Sequence, residues 1–452
     1  MNIFEIYAES YPAICDQRVV DLCLVSKCWN AVTSRTPRLW TKINISFPFA
    51  DHHLAAVLKR VQASKLEKID VSIDFRGPGW DGNEPHYNGR ALHRTDEFNW
   101  VQNIVTLLKN TENRWKSINV LSQTWLPFYI LTEDWTFTHL PSLESISLER
   151  ENPIFGMQNV RFDPQPLIRP MTLFGQNASL PRLRDLSLSA VHIDWDYALA
   201  LVGFQNLRKL ELKNLTYDVG PSFEQFAAML SSSPHLECLD VSGFCPEHST
   251  GPDPPAGEDT EIPIVHLPAL KEFTFGWKDI DLGCDFLQMF QIGNSLEVLT
   301  LVDTESGLGQ WRDRQTESRG WAQDSAGIFG ALDHLGSAAV QVEKDASSGP
   351  FISMRGVKVL RIIWTKAAYR SLISFLSWLP ELEDIWLEDV NRNVLEDVTT
   401  HLARRSWGPA CRSPGRLGIR WRWREGVPNF AVPLIQVLEN VGVEVTVQAA
   451  ED

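Results

Sequence analysis

The chain has 452 residues, 44% of them hydrophobic and 22% charged, which is the composition of a folded protein and excludes disorder on a large scale. A net charge of −15 excludes general binding to nucleic acid or to anionic membranes, both of which need a basic surface. Seven scattered cysteines fit a reducing compartment, no stretch reaches the roughly 20 apolar residues that span a bilayer, and MNIFEIYAES lacks the basic and long apolar regions of a secretory signal. The expected location is intracellular, cytoplasmic or nuclear, and the N-x-S/T sequons at Asn44, Asn177 and Asn214 carry no weight there.

Residues 1–48 differ in character from the rest. VVDLCLVSKCWNAVTS places Leu22, Val25, Trp29 and Val32 at helical spacing, followed by Pro37, Leu39 and Trp40, while Ile3, Phe4 and Ile6 lie just after the start. This segment resembles the F-box, the small all-α module through which substrate receptors dock on the Skp-type adaptor of cullin–RING ubiquitin ligases. The family's L-x-x-V-C-[KR]-x-W pattern stands here as Leu22, Val25, Ser26, Lys27 and Trp29, and its P-x-L-W as Pro37, Leu39 and Trp40. Its opening Leu-Pro-x-Glu element does not precede Ile3, so the module is expected to be N-terminally truncated. The resemblance implies hydrophobic docking on the adaptor by Phe4, Leu22, Leu24, Val25, Trp29, Pro37, Leu39 and Trp40. Trp29 and Trp40 also read as the module's own core.

From Leu66 onward one spacing returns: an apolar residue, then others three and five positions later. It appears as LEKIDV (Leu66), WKSINV (Trp115), LESISL (Leu143), LRDLSL (Leu183) and LRKLEL (Leu207). It continues as LECLDV (Leu236), LKEFTF (Leu270), LEVLTL (Leu296), VKVLRI (Val357) and LEDIWL (Leu382). The last two apolar residues are two apart, so on a strand they share one side, and a turn brings the first into the same core. Proline precedes several copies, at Pro141, Pro181, Pro234, Pro268 and Pro380, ending the previous segment. Between copies, SFEQFAAMLSS and YRSLISFLSWL have helical periodicity. The pattern resembles the leucine-rich repeat. The expected fold is therefore α/β: an irregular solenoid over 51–452, with a curved parallel sheet and helices on its convex side, preceded by the all-α module at 1–48.

Three features depart from regular repeats. Spacing between copies runs from 24 residues (Leu183 to Leu207) to 61 (Leu296 to Val357), against about 20–29 in regular arrays. The asparagine or cysteine expected three residues after the last leucine is replaced by Glu151, Val191, Leu215 or Phe244. Insertions are expected at 76–95, 243–263 and 305–350, the last a loop with some helix. An ordinary α/β sheet of alternating strands and helices is the competing reading.

Residues between the inward positions should face a ligand on the concave sheet. Early copies present Ser145, Ser147, Asp185, Ser187, Lys209 and Glu211 there; later ones present Val298, Val302, Val359, Arg361, Ile363 and Trp386. The segment GIRWRWRE alternates Ile419, Trp421 and Trp423 with Arg420, Arg422 and Arg424. It reads either as a closing strand with solvated arginines or as an arginine-lined site for an acidic or phosphorylated partner.

Enzyme signatures are missing: no phosphate loop, no dinucleotide fingerprint and no nucleophile elbow. Cys238, Cys245 and His248 lack a fourth ligand and zinc-type spacing, so neither metal nor cofactor is expected. The expected function is that of a non-catalytic substrate receptor, joining the adaptor to an unidentified target protein, with no nucleic-acid or membrane partner. The alternative is a repeat scaffold with a degenerate F-box and no ligase role.

Overall fold

The structure is a computed structural model that describes residues 15–47, 51–76, 96–134, 140–151, 161–162, 168, 171–174, 179–200, 205–246, 262–304, 326–345, 349–363, 369–388, 390, 394–396, 398–400, 416–421, 431–440 and 444–449. The chain forms two compact units, one spanning Met1–Pro153 and Arg161–Leu207, the other built on Arg208–Asp452. No described helix is long and apolar enough to cross a membrane.

Among the described residues, the first unit opens with helices α1 (Cys15–Val25) and α2 (Lys27–Ser34) and a 3-10 turn over Pro37–Trp40. Strand β1 (Lys42–Ser46) follows, and corrects the expectation of an all-helical segment to residue 48. In KINIS, the β-branched Ile43 and Ile45 alternate with polar residues and are buried, which is the signature of a strand. Helix α3 (Asp51–Ala63), β2 (Ile69–Asp74), α4 (Asp96–Leu108), β3 (Trp115–Ser122), α5 (Leu126–Asp134), β4 (Ser145–Arg150), β5 (Asp185–Ser189) and α6 (Trp195–Ala200) complete the unit. Its strands form one parallel sheet in chain order, each paired with its successor. Arg150, at the end of β4, is buried with its guanidinium 5.9 Å from the Trp125 ring and 5.7 Å from that of Phe162. The His192 ring stacks on Trp125 at 4.5 Å.

The second unit contains β6 (Lys209–Lys213), α7 (Phe223–Ser231), β7 (Cys238–Ser242), β8 (Val265–His266), β9 (Glu272–Trp277), α8 (Ile280–Leu287), β10 (Phe290–Ile292) and β11 (Val298–Asp303). It continues with α9 (Ala326–Asp345), β12 (Phe351–Ile352), β13 (Val359–Ile363), α10 (Tyr369–Ser377), β14 (Asp384–Glu388), β15 (Arg416–Trp421), α11 (Ala431–Asn440) and β16 (Glu444–Ala449). The main sheet has the order β6-β7-β9-β11-β13-β14-β15-β16, all parallel, while the short β8, β10 and β12 form a second sheet. A strand order that never reverses is what a repeated unit yields when each copy adds one strand beside the last.

The recurrent spacing is the core. In nine of the ten copies all three apolar residues are buried, from Trp115, Ile118 and Val120 through to Leu382, Ile385 and Leu387. Leu66 is the exception, at 91% exposure. Lys65 before it has φ 52, a left-handed turn at the end of α3 that swings Leu66 outward. In α7, Phe223, Phe226, Met229 and Leu230 are buried on one face, and a capping box between Ser222 and Gln225 starts the helix. In α10, Leu372, Phe375 and Leu376 are buried in the same way. The insertion expected at 305–350 contains α9; residues 77–95, 247–261 and 305–325 of the three insertions lie outside the described residues.

Of the four places where an asparagine or cysteine would stand in a regular repeat, three hold apolar residues and the fourth holds the exposed Glu151. Val191, Leu215 and Phe244 are buried, each just after a left-handed residue: Ala190 (φ 52), Asn214 (φ 55) and Gly243 (φ 77). The turn aims the next side chain into the core. At Gly243 it requires glycine twice over, since a Cβ there would lie 2.6 Å from the Asn214 side-chain oxygen.

A second ladder runs along the start of the second unit's main strands. The Glu237 and Cys238 N–H groups both donate to the Arg208 carbonyl, at 2.8 and 2.9 Å, and Lys271 and Glu272 repeat this on Glu237. Glu297 and Val298 repeat it on Lys271, Lys358 and Val359 on Glu297, and Glu383 and Asp384 on Lys358. The residues so aligned are Arg208, Glu237, Lys271, Glu297, Lys358 and Glu383, alternating in sign. Ion pairs join Arg208 to Glu237 (3.3 Å), Glu237 to Lys271 (2.7 Å) and Glu297 to Lys358 (3.3 Å). The hydrogen bond from Lys271 holds the Glu237 carboxyl below its ordinary range, and Glu237 in turn raises the Lys271 ammonium. The glutamate's contribution is therefore present above its ordinary pKa and lost as pH falls through the lowered one. The lysine's is present below its ordinary pKa and lost as pH rises through the raised one, so the ladder is intact at neutral pH. Lys271→Glu places three glutamates in a row and is expected to lower the thermal midpoint, less so at high salt, with partial recovery on adding Glu237→Lys. Thermal unfolding at two salt concentrations checks this.

Candidate interaction surfaces

The N-terminal helices carry two sets of apolar residues. Val19 and Leu39 pack together with Trp40 against them, and Leu22 is also buried. The Trp40 indole N–H donates to the Thr33 carbonyl at 2.9 Å. Arg60 of α3 lies 5.7 Å from the Trp40 ring and donates to the Lys42 carbonyl at 3.1 Å, tying the module to β1. The second set faces outward: Leu24 is 75% exposed, Val25 60% and Trp29 39%, with Val20 and Val32 also exposed. Ser26 creates this face by breaking the helix between α1 and α2; its hydroxyl caps α2 by accepting from the Trp29 N–H at 3.1 Å.

The eight residues expected to touch an adaptor therefore divide. Leu24, Val25 and Trp29 are accessible, whereas Leu22 and Leu39 are core and Trp40 is half-buried in contacts with its own chain. Pro37 opens the 3-10 turn and is half-buried. Phe4 lies outside the described residues. Large apolar side chains left in water cost free energy unless a partner covers them, so the exposed trio is the informative part.

The face of each sheet opposite the strand core is organised by register. In the first unit it is small and polar. The Ser117 hydroxyl donates to Asp70 at 2.7 Å, and Arg76 bridges Asp74 (3.0 Å) and Glu151 (2.8 Å), which raises its pKa. Ser145, Ser147, Asp185 and Ser187 are half-buried on this face, in register with one another.

In the second unit, β6 and β7 carry a charged cluster. Lys213 lies 2.9 Å from Asp240 and 3.7 Å from Glu211, Lys209 lies 2.8 Å from Glu211, and the Ser242 hydroxyl donates to Asp240 at 3.0 Å. Burial raises the Asp240 carboxyl despite its lysine; burial also works against the Lys213 ammonium, but Asp240 and Glu211 outweigh it and the net shift is upward. Beyond β9 the face mixes apolar and charged residues, with Asp384 and Glu388 half-buried on either side of Trp386. Val298, Val359, Ile363 and Trp386 are half-buried, and Arg361 stands exposed among them, in register between Thr300 and Trp386.

Val302, expected on the accessible face, is buried. Its register neighbour is Gly276, where a Cβ would meet Ser242 Cβ at 2.8 Å and Thr304 Cγ2 at 3.2 Å. Ser242 and Thr304 thus lie close to the Gly276 backbone at that end of the sheet. On β15, Leu417 and Ile419 pair with the core positions Ile385 and Leu387. Arg416 and Arg420 therefore share register columns with Asp384 and Glu388, and with Glu444 and Gln448 on β16. Arg420 thus falls beside a carboxylate position, while Arg422, Trp423 and Arg424 lie outside the described residues.

Sequence reasoning missed the alternating ladder and the Lys213–Asp240 cluster, both built from residues distant in sequence. It also missed Lys278, whose burial lowers its pKa to about 8 and whose ammonium donates to the Leu215 carbonyl at 3.5 Å. Among the described residues no three metal-type side chains converge; His248 is outside them. No model of a known protein family matches the chain, and no curated protein matches it in sequence.

Lys213→Met is expected to destabilise the protein by about 1–3 kcal/mol, because it strands a carboxylate in a half-buried place. It should also push the Asp240 pKa further up, so that stability recovers as pH falls through that value. Denaturant unfolding at neutral and acid pH, with carboxylate NMR titration, measures both effects.

Proposed function

We propose that this chain is a non-catalytic substrate receptor of a cullin–RING ubiquitin ligase. In this reading it docks a Skp-type adaptor through α1 and α2 and holds a target protein on a leucine-rich-repeat solenoid, in the cytoplasm or nucleus. The observation that carries the reading is the exposure of Leu24, Val25 and Trp29 on a helix pair whose Val19 and Leu22 are buried. A hydrophobic groove on the adaptor would cover them, with the aromatic ring as anchor. The strand order, one parallel strand per copy of the spacing, supports the solenoid. The chain would act by proximity, raising the target's effective concentration at the ligase, so it needs no catalytic side chain of its own.

Co-purification with a Skp-type adaptor tests this. Wild-type protein is expected to retain the adaptor, and the double variant Leu24→Asp, Val25→Asp to lose it with an unchanged circular dichroism spectrum, since both side chains are exposed. Leu39→Asp, by contrast, is expected to disrupt the module itself. Absence of adaptor capture by the wild type overturns the ligase reading and leaves a repeat scaffold.

A further inference from the structure

Among the described residues of the first unit, exposed large apolar side chains are confined to one region. They are the five on α1 and α2, together with Leu58 on α3 and Leu66 just after it; the described elements from β2 onward bear none. Both leucines belong to segments that touch the 3-10 turn following α2. Helix α3 packs on that turn, with Arg60 over the Trp40 ring. Glu67, the residue after Leu66, pairs with Arg38 of the turn at 3.8 Å. The turn is itself fastened to α2, since the Thr36 hydroxyl donates to the Val32 carbonyl at 2.8 Å.

Leu66 is held outside by a built turn. Lys65 has a left-handed φ of 52, its carbonyl accepts from Arg114, and Arg114 also donates to the Ser64 hydroxyl at 3.2 Å. Ser64 is fully buried, and its hydroxyl donates to the Val61 carbonyl at 2.7 Å. The chain thus fixes a conformation unfavourable for lysine and leaves the next leucine 91% exposed. A stable protein partner covers about 20–30 residues a side, more than two short helices offer, so a partner seated on α1 and α2 extends over their surroundings. Resting on the reading of α1 and α2 as the adaptor-docking helices, we propose that the adaptor's apolar contact continues past the 3-10 turn onto the start of the repeat, with Leu66 as its outlying anchor. Anchors on separate elements fix the angle at which the first unit leaves the adaptor, which one helix pair leaves free.

The test is the affinity of the full chain for a purified Skp-type adaptor, with hydrogen exchange of the wild type as a second measurement. Leu66→Asp is expected to weaken binding about tenfold, and Leu66→Met to keep it. The thermal midpoint of both variants should stay at the wild-type value, because the side chain already stands in water. Exchange at residues 64–67 is expected to slow when the adaptor binds. Wild-type affinity in Leu66→Asp, or unchanged exchange at 64–67, would overturn the proposal. In that case the Leu24→Asp, Val25→Asp variant would still lose the adaptor and the ligase reading would stand. Absence of adaptor binding by the wild type overturns the ligase reading, and this proposal with it.

Discussion

The core and both faces of the sheet depend on the lateral register of parallel strands. Once two neighbouring copies share the same hydrogen bonds, equivalent residues fall about 4.8 Å apart, and each position in the spacing becomes a column of side chains. The inward columns are apolar and form the core. The column after the first core residue alternates in charge in the second unit, and the outward columns form the candidate binding face. Apolar burial supplies most of the stability, but register decides which residues meet. The ladder from Arg208 to Glu383 shows this, since its members are brought together only because each strand begins on the carbonyl of the previous one.

Much of this was legible in the sequence, for a physical reason. A strand face buried between copies tolerates little but apolar residues, so the positions of Leu186 and Leu188, or Leu299 and Leu301, are visible without a structure. What was lost depended on local backbone or on distant partners. Leu66 fits the spacing and is exposed, because a left-handed turn at Lys65 redirects it. Ile43 and Ile45, with Trp40 three residues before, show the same spacing inside a segment taken as helical. The pattern was there, but a helical resemblance on one side masked it. Val302 follows the outward column but is buried, and its register neighbour is a glycine, Gly276.

The resemblance of the N-terminal segment to an F-box implies one contact surface of eight residues, and geometry separates those it describes. Helical spacing cannot tell the side of a helix that packs on its own domain from the side that meets a partner when both are apolar. Leu22 and Leu39 hold α1 and the 3-10 turn in place; Leu24, Val25 and Trp29 are what such a framework would present. The break at Ser26 separates α1 from α2, and its hydroxyl caps α2.

Hydrogen–deuterium exchange of the full chain, alone and with a purified Skp-type adaptor in excess, tests the central claim most directly. The expected result is slowed exchange across residues 15–34, with the strands from β9 to β14 unchanged. Unchanged exchange over 15–34, or protection on those strands instead, would contradict the assignment of adaptor docking to the N-terminal helices.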